Sequence, residues 1–146
     1  MIGLIQRVAR AHVEVGGQTV GSIQRGILAL VGVEAPDEPQ TATRLLERML
    51  TYRIFPDDGG KMNLDLRQIG GGLLLVPQFT LVADTRKGTR PGFSGGATPA
   101  KARELFEGLV VAARSVHPAV AAGVFGADMQ VHLVNDGPVT FSLHVT

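Results

Sequence analysis

Alternating polar and apolar residues near the start of the chain predict a β-hairpin. Residues 2–8 are rich in β-forming side chains, and residues 12–15 alternate between polar and apolar, which is the period of a half-buried strand. Gly16-Gly17 then predicts a tight turn, followed by a returning strand over residues 18–23. A continuous apolar run over residues 26–33 predicts a further strand that is buried on both faces.

Two later segments carry apolar residues at helical spacing. In the first helix we expect Asp37 as the N-cap, Gln40 in the capping-box position and an end near Arg53. In the second helix we expect Thr98 as the N-cap and Pro99 at the first helical position. The predicted apolar stripes consist of Ala42, Leu45, Leu46, Met49 and Leu50 in the first helix, and of Ala102, Leu105, Phe106, Leu109, Val110 and Ala113 in the second.

The remaining segments complete a mixed fold. They predict a strand over 73–82, an extended loop over 84–97, and two strands over 129–134 and 139–145. A turn at 135–138 separates the last two strands. The total is six or seven strands and two main helices. Because the strands come in adjacent groups, the order favours one α+β domain over residues 1–146, with mainly antiparallel sheets arranged as a barrel or sandwich.

Composition narrows the chemistry. The 146 residues include 14 Lys and Arg, 13 Asp and Glu, and no Cys, which excludes disulfides, thiolate zinc sites and a cysteine nucleophile. The net charge of +1 argues against a protein that coats duplex nucleic acid. The chain has no P-loop or GxSxG motif, and its histidines lack HxH or HxxxH spacing, so we expect neither cofactor nor metal. No apolar run is long enough for a membrane span, so we expect a cytoplasmic protein.

The segment Pro77-Gln-Phe-Thr-Leu81 departs from ordinary strand composition. Proline removes a ladder hydrogen bond, so strands avoid it except at edges and bulges. One interpretation is an edge strand with Phe79 in the core. The other is a strand edge whose free backbone N–H groups bind a ligand.

The segment Asn135-Asp-Gly-Pro-Val-Thr140 also allows two interpretations. A Gly-Pro pair between strands is usually a turn. X-Pro bonds are also where cis peptides occur, and a cis Gly137-Pro138 bond would aim two carbonyl groups in one direction and could gate a pocket sterically.

Positive charge is concentrated between Asp84 and Arg103. Five cations and one carboxylate give this stretch a net charge of +4. It is either a solvated loop or a local patch that contacts phosphate groups. The cations are Arg86, Lys87, Arg90, Lys101 and Arg103.

The two motifs resemble the signature motifs of the D-aminoacyl-tRNA deacylases. The similarity runs in collinear order from end to end, although this chain has Pro77 where the family usually has Ser. A proline there is also typical of a sister family of animal tRNA deacylases, but this chain keeps Phe79 and Asn-Asp-Gly-Pro-Val-Thr, which favours the D-aminoacyl enzymes. Further matching stretches are Met1-Ile-Gly-Leu-Ile-Gln-Arg-Val8, Tyr52-Arg-Ile-Phe55, Gly60-Lys-Met-Asn63, Arg90-Pro-Gly-Phe-Ser94 and Ala127-Asp-Met-Gln-Val131.

The resemblance implies an enzyme that hydrolyses the ester between a D-amino acid and the 3′-terminal adenosine of tRNA, and that also removes glycine from tRNA for alanine. It implies a homodimer with active sites at the subunit interface. A cis Gly137-Pro138 peptide would enter the partner's pocket and reject L-amino acids, with Arg7 and Asn135 supporting that motif.

The resemblance further implies a catalytic segment of Gln78, Phe79 and Thr80. Backbone N–H groups would stabilise the oxyanion and the tRNA 2′-hydroxyl would assist the attacking water. We expect Thr80 to position groups, because a threonine hydroxyl without a base is a weak nucleophile. The expected adenosine pocket comprises Phe79, Ala102, Phe125 and Met129, and the expected phosphate contacts are Arg86, Lys87 and Arg90. The alternatives are a non-catalytic RNA- or nucleotide-binding module and a sister-family deacylase that acts on some L-aminoacyl-tRNAs.

Overall fold

The computed structural model describes residues 1–146 and consists of one large sheet, a small two-stranded sheet and three α-helices. In chain order the elements are β1 (Ile2–Val15), β2 (Gln18–Ile23), β3 (Gly26–Gly32), α1 (Pro39–Thr51), β4 (Phe55–Pro56), β5 (Met62–Leu64), α2 (Leu66–Ile69), β6 (Gly72–Pro77), a 3₁₀ turn (Phe79–Val82), α3 (Pro99–Val116), β7 (Val120–Ala122) and β8 (Gln130–His144). The short elements α2, β4, β5 and β7 were not predicted.

Strand β1 organises the large sheet. Along one edge it pairs antiparallel with β3 and then with β2, and along the other edge it pairs with β8. The strand order is β2-β1-β3-β6-β7, and the β3–β6 and β6–β7 pairs are parallel. The parallel pairs follow from the helical crossovers that join these strands. The α+β class is therefore confirmed, with two parallel pairings in a sheet that was predicted to be mainly antiparallel.

The sheet curves until its two ends nearly meet. Gly21 on β2 lies against Ala122 on β7, so closely that a Cβ atom on Gly21 would stand 2.8 Å from the Ala122 carbonyl oxygen. A larger residue could not occupy this position without moving the backbone. The close approach gives the sheet its nearly closed, barrel-like form.

The two long helices cover one face of this sheet. All eleven predicted stripe residues of α1 and α3 are buried, and they join β1, β3 and β6 in the main hydrophobic core. Thr98 is the N-cap of α3, and its hydroxyl accepts a hydrogen bond from the Lys101 N–H group, as predicted. No helix of the structure is both long enough and apolar enough to cross a membrane.

The start of α1 differs from the prediction. The N-cap is Glu38 rather than Asp37, and its capping-box partner is Thr41 rather than Gln40. The helix ends at Thr51 with Tyr52 as its C-cap, close to the predicted end near Arg53. Asp37 is instead buried and accepts a hydrogen bond from the Met1 ammonium group at 2.6 Å. Its carboxylate is therefore committed to a buried charge, which outweighs its ordinary preference for a capping position.

Glu34 shares the same amino group. Its carboxylate lies 2.7 Å from the Met1 ammonium and 2.7 Å from His144 Nε2. Burial raises the pKa of Glu34, but hydrogen bonds and positive charge from these two groups outweigh that effect and hold the pKa below its ordinary value of 4.5.

Candidate active site

The end of β6 sets the shape of the Pro77–Leu81 segment. Pro77 is the last ladder residue, opposite Val31, and the Gln78 N–H group donates to the Val31 carbonyl oxygen at 2.8 Å. The chain then leaves the sheet in the 3₁₀ turn, so the strand predicted to continue to residue 82 stops at 77. The Phe79 side chain is 64% exposed, and the interpretation that placed it in the core is wrong.

A cleft of about 470 Å³ opens beside this turn. It brings together Phe79, Ala102, Phe125 and Met129, the four residues named for the adenosine pocket. The other lining residues are Val76, Pro77, Gln78, Ala97, Pro99, Gly126, Ala127 and Val131, none of which was assigned to the pocket. Ala127 and Val131 belong to one of the stretches that resemble the family, which was the available signal for them.

Two aromatic side chains, Phe79 and Phe125, line the cleft. The Phe79 ring lies 5.4 Å from the Phe93 ring, and a small adjoining cavity of about 60 Å³ lies between these rings and α3. Phe125 also lines the cleft, and the Arg103 guanidinium lies 4.9 Å from the centre of its ring. This cation–π contact and Phe106 behind it restrict the orientation of Phe125.

The polar groups of the cleft are few. Gln78 is the only lining residue with a polar side chain, and no titratable side chain lines the cleft. The Gln78 side-chain amide donates a hydrogen bond to the Thr80 hydroxyl, which lies outside the lining. Because the first N–H groups of a helical turn have no intrahelical acceptor, the N–H groups of Phe79 and Thr80 are left without one.

The second motif is a four-residue bulge within β8. Gln6 pairs with Thr140 and Val8 pairs with Asn135, so residues 136–139 stand opposite Arg7 alone. The predicted turn between two separate strands is therefore wrong, because β8 runs continuously from Gln130 to His144.

The peptide bond between Gly137 and Pro138 is cis, the isomer that the resemblance implies. Gly137 has φ +141°, and a Cβ atom on it would stand 2.7 Å from a methyl carbon of Val139. Glycine is therefore required here both by its backbone conformation and by the space available.

Two side chains hold the bulge from within β1 and β8. Arg7 Nε donates to the Asp136 carbonyl oxygen at 3.0 Å, while Nη1 donates to the Ile54 carbonyl oxygen at 2.7 Å. The Asn135 amide donates to the carbonyl oxygens of Arg7 and Val139, both at 3.0 Å. The base of the bulge is thereby tied to the sheet on both sides.

The two motifs do not meet within one chain. No residue of the 135–140 segment lines the cleft, and both Gly137 and Pro138 are exposed. The cleft is formed by the end of β6, the 3₁₀ turn, the start of α3 and the segment from Phe125 to Val131 at the start of β8, whereas the bulge lies further along β8 at residues 136–139.

The sequence model described as D-Tyr-tRNA(Tyr) deacylase matches residues 4–144, which includes both motifs. The chain belongs to this deacylase family. It is similar to the D-aminoacyl-tRNA deacylase of Pseudomonas savastanoi pv. phaseolicola, with 62% identity over 97% of each chain. Its identity to the protein of the same name from Pseudomonas entomophila is 61% over 99% of this chain and 100% of that relative.

Solved structures share the deacylase fold. One, described as a c-Myc DNA unwinding element binding protein, has a TM-score of 0.94 and 34% sequence identity, and the match covers 99% of this chain and 98% of that protein's chain. Another, described as a probable eukaryotic D-amino acid tRNA deacylase, has a TM-score of 0.76 and 18% identity over 97% of this chain and 98% of its own, so it supports the fold alone.

The basic stretch of this deacylase is partly neutralised by internal contacts. Arg86 Nη2 pairs with Asp84 at 2.8 Å, which lowers the pKa of Asp84 and raises that of Arg86. Lys101 Nζ lies 3.6 Å from the Glu38 carboxylate, and Arg103 Nη1 lies 3.5 Å from the Glu107 carboxylate. Of the three residues named for phosphate contacts, Lys87 and Arg90 make no ion pair within the chain.

The histidines are not all separate in space. His12 and His132 stand directly opposite each other on β1 and β8, next to Glu14. This cluster is the one group of three or more potential metal-ligating side chains in the chain. We expected no metal site because the histidines lack metal-binding spacing along the sequence. Spacing alone cannot detect His12 and His132, which the register of β1 and β8 brings together.

Proposed function

We propose that the chain hydrolyses the ester bond of D-aminoacyl-tRNAs and releases the free amino acid and tRNA. The observation that carries the proposal is the apolar cleft beside the Gln78-Phe79-Thr80 turn, which joins aromatic surfaces to free backbone N–H groups. Family membership and the names of the Pseudomonas relatives support the same reaction. Because the substrate is tRNA, we expect the protein to act in the cytoplasm as part of translation quality control.

The terminal adenosine is proposed to bind between Phe79 and Phe125, with Ala102 and Met129 below the base. Phe79 is exposed and can stack on a base, and Ala102 leaves space that a larger side chain would fill. Stacking of a base on an aromatic ring contributes about 1–3 kcal/mol. This grip on one nucleotide is compatible with a net charge of +1, because it does not require many phosphate contacts.

Catalysis is proposed to depend on backbone groups and on the substrate. The backbone N–H groups of Phe79 and Thr80 would stabilise the oxyanion of the tetrahedral intermediate. Since no titratable side chain lines the cleft, the ribose 2′-hydroxyl of the terminal adenosine is the group we assign to activating or positioning the water. Thr80, whose hydroxyl accepts a hydrogen bond from Gln78, would position the turn rather than attack the ester.

Chiral selection is proposed to need a second copy of the chain. The exposed Gly137-Pro138 bulge and the cleft belong to different parts of one chain, so a homodimer would allow the bulge of one protomer to enter the cleft of its partner. Its carbonyl groups would then occupy the space that an L side chain requires. A D-amino acid and glycine would both be accepted, so glycine on tRNA for alanine would also be a substrate.

A binding role without catalysis is the second candidate. It is favoured by the similarity to the structure described as a DNA unwinding element binding protein and by the unpaired cations Lys87 and Arg90. Binding of tRNA ends or of DNA without release of the amino acid would support this candidate. A sister-family activity would instead appear as hydrolysis of L-aminoacyl-tRNAs.

The cleft assignment is tested by filling it. Ala102→Phe should raise the KM for D-Tyr-tRNA by at least about tenfold, because the new ring occupies the space for the base. Val111→Phe is the matched control, since Val111 lies on the same helix but is 69% exposed and outside the cleft. Equal KM values for the two variants, measured by deacylation of D-Tyr-tRNA, would contradict the assignment.

A further inference from the structure

Three polar side chains meet on the outer face of the β1–β8 pair. The imidazole rings of His12 and His132 are stacked with centres 4.3 Å apart and planes inclined by 4°. Glu14 follows on the same face of β1, and its carboxylate reaches both rings. Glu14 Oε1 lies 3.1 Å from His12 Nε2, and Oε2 lies 3.5 Å from His132 Nε2.

We propose that His12, Glu14 and His132 bind one divalent transition-metal ion, with Zn²⁺ as the probe. Two imidazoles and one carboxylate are a ligand set that zinc uses in proteins. Tetrahedral ligands bonded at about 2.0–2.2 Å lie about 3.3–3.6 Å from one another. The distances of 3.1 and 3.5 Å, each from a different oxygen of Glu14, are close to this spacing, and one ligand atom from each of the three residues lies within 4.8 Å of the others.

Binding requires a small rearrangement of the rings. In the stacked arrangement the lone pairs of the two Nε2 atoms lie in parallel planes, so at least one ring must tilt for them to converge on an ion. His12 is 37% exposed and His132 is 48% exposed, which leaves both rings room to rotate. Water would fill the fourth position, because no further carboxylate or histidine joins the cluster.

Neighbouring charge limits the expected affinity. Arg10 lines the same shallow groove as His12 and His132, and its positive charge opposes that of the ion. The single carboxylate of Glu14 offsets only part of the ion's charge. We therefore expect binding that is saturable but weaker than that of a closed structural zinc site.

The ion would act as a clamp between two strands. His132 follows Val131, which lines the cleft, whereas none of the three ligands does so. A metal bound to both strands would hold β8 to β1 beside the cleft without contacting the substrate. This site does not depend on the proposed deacylase activity, and its test does not use that activity.

Isothermal titration of the chelator-treated full-length protein with ZnCl₂ tests the proposal. We expect one ion per chain, with affinity weakened at least about tenfold in both His12→Gln and His132→Gln. His144→Gln is the matched control, because His144 also contacts a single carboxylate, that of Glu34, but has no second histidine beside it. That variant should keep the affinity of the unmodified protein.

A second measurement, the Tm, distinguishes loss of Zn²⁺ binding from poor folding of a variant. Zn²⁺ should raise the Tm of the unmodified protein and of His144→Gln, but not that of His132→Gln, with folding checked by circular dichroism. The proposal is overturned if the unmodified protein shows no saturable Zn²⁺ binding, or if either His12→Gln or His132→Gln loses less than about tenfold in Zn²⁺ affinity. It is also overturned if His144→Gln loses as much Zn²⁺ affinity as the two ligand variants.

Discussion

Replacement of Arg7 should separate the proposed chiral selection from catalysis. Its guanidinium makes two hydrogen bonds, to the Ile54 carbonyl oxygen at 2.7 Å and to the Asp136 carbonyl oxygen at 3.0 Å. The side chain is only 13% exposed, so little solvent screening applies. Arg7→Met keeps most of the aliphatic stem and removes both bonds, which should release the 136–139 bulge from β1.

The magnitude follows from the number and type of these bonds. A hydrogen bond from a charged donor contributes about 1.5–3 kcal/mol. Loss of both bonds, with the exposed Asp136 bond counted at the lower end, should reduce the free energy of unfolding by about 3–4.5 kcal/mol and the Tm by about 6–18 °C. The ion pair with Asp136 at 3.6 Å adds little, because the Asp136 side chain is 54% exposed.

Selectivity should change through the Asp136 bond alone. Weakening the position of the bulge by about 1.5 kcal/mol, the lower-end value used for this exposed bond, corresponds to about a 10-fold change in discrimination. We expect the ratio of kcat/KM for L-Tyr-tRNA to that for D-Tyr-tRNA to rise by this factor, mainly through faster hydrolysis of the L form. The assay is release of tyrosine from each aminoacyl-tRNA under identical conditions.

Arg44→Met is the control for loss of an arginine. Arg44 Nη2 also donates to a backbone carbonyl oxygen, that of Thr146 at 2.6 Å, but it is exposed and does not touch the bulge. This variant should leave the ratio unchanged. The reasoning is refuted if Arg7→Met loses the expected stability while its ratio stays that of the unmodified protein.

Three further predictions concern the reaction and the amino terminus. Thr80→Ala should slow single-turnover hydrolysis of D-Tyr-tRNA by only about 5-fold, the value of one hydrogen bond, and abolition of activity with tRNA binding intact would instead identify Thr80 as a nucleophile. Replacing the terminal 2′-hydroxyl of D-Tyr-tRNA by hydrogen should slow hydrolysis by about 100-fold or more, and an unchanged rate would contradict assistance by the substrate. Glu34→Gln should lower the Tm at neutral pH, because it removes the ion pair with the Met1 ammonium group. Since the folded pKa of Glu34 lies below 4.5, the Tm difference between the variant and the unmodified protein should persist down to pH 4.5 and disappear as the pH falls through the folded pKa. A Tm difference that stays constant with pH in thermal melts would argue against the ion pair.

Local patterns predicted the elements that depend on local forces. The apolar stripes of α1 and α3 and the Gly16-Gly17 hairpin follow from spacing and turn chemistry, and the structure has them. The prediction that the strand continues past Pro77 was wrong for an identifiable reason. The residues of the 3₁₀ turn favour a strand by composition, but Pro77 has no N–H group to donate to the ladder. The Gln78 N–H group makes the last hydrogen bond to β3, at the Val31 carbonyl oxygen, and the chain then enters the 3₁₀ turn.

The other differences depend on partners far away in sequence. The bulge at 136–139 exists because Arg7 and Asn135 satisfy its backbone groups across β1, which a turn rule cannot detect. The pairing of His12 with His132 likewise depends on the register of β1 and β8. The four residues assigned to the adenosine pocket by resemblance all line the cleft, and adenosine binding there stays a prediction.

Hydrolysis rates of three substrates test the central claim most directly. Purified protein should release the amino acid from D-Tyr-tRNA and from glycine attached to tRNA for alanine, and should leave L-Tyr-tRNA intact under the same conditions. Equal rates on the D and L forms, or no hydrolysis of the D form, would contradict an enzyme that selects its substrates by excluding the L side chain.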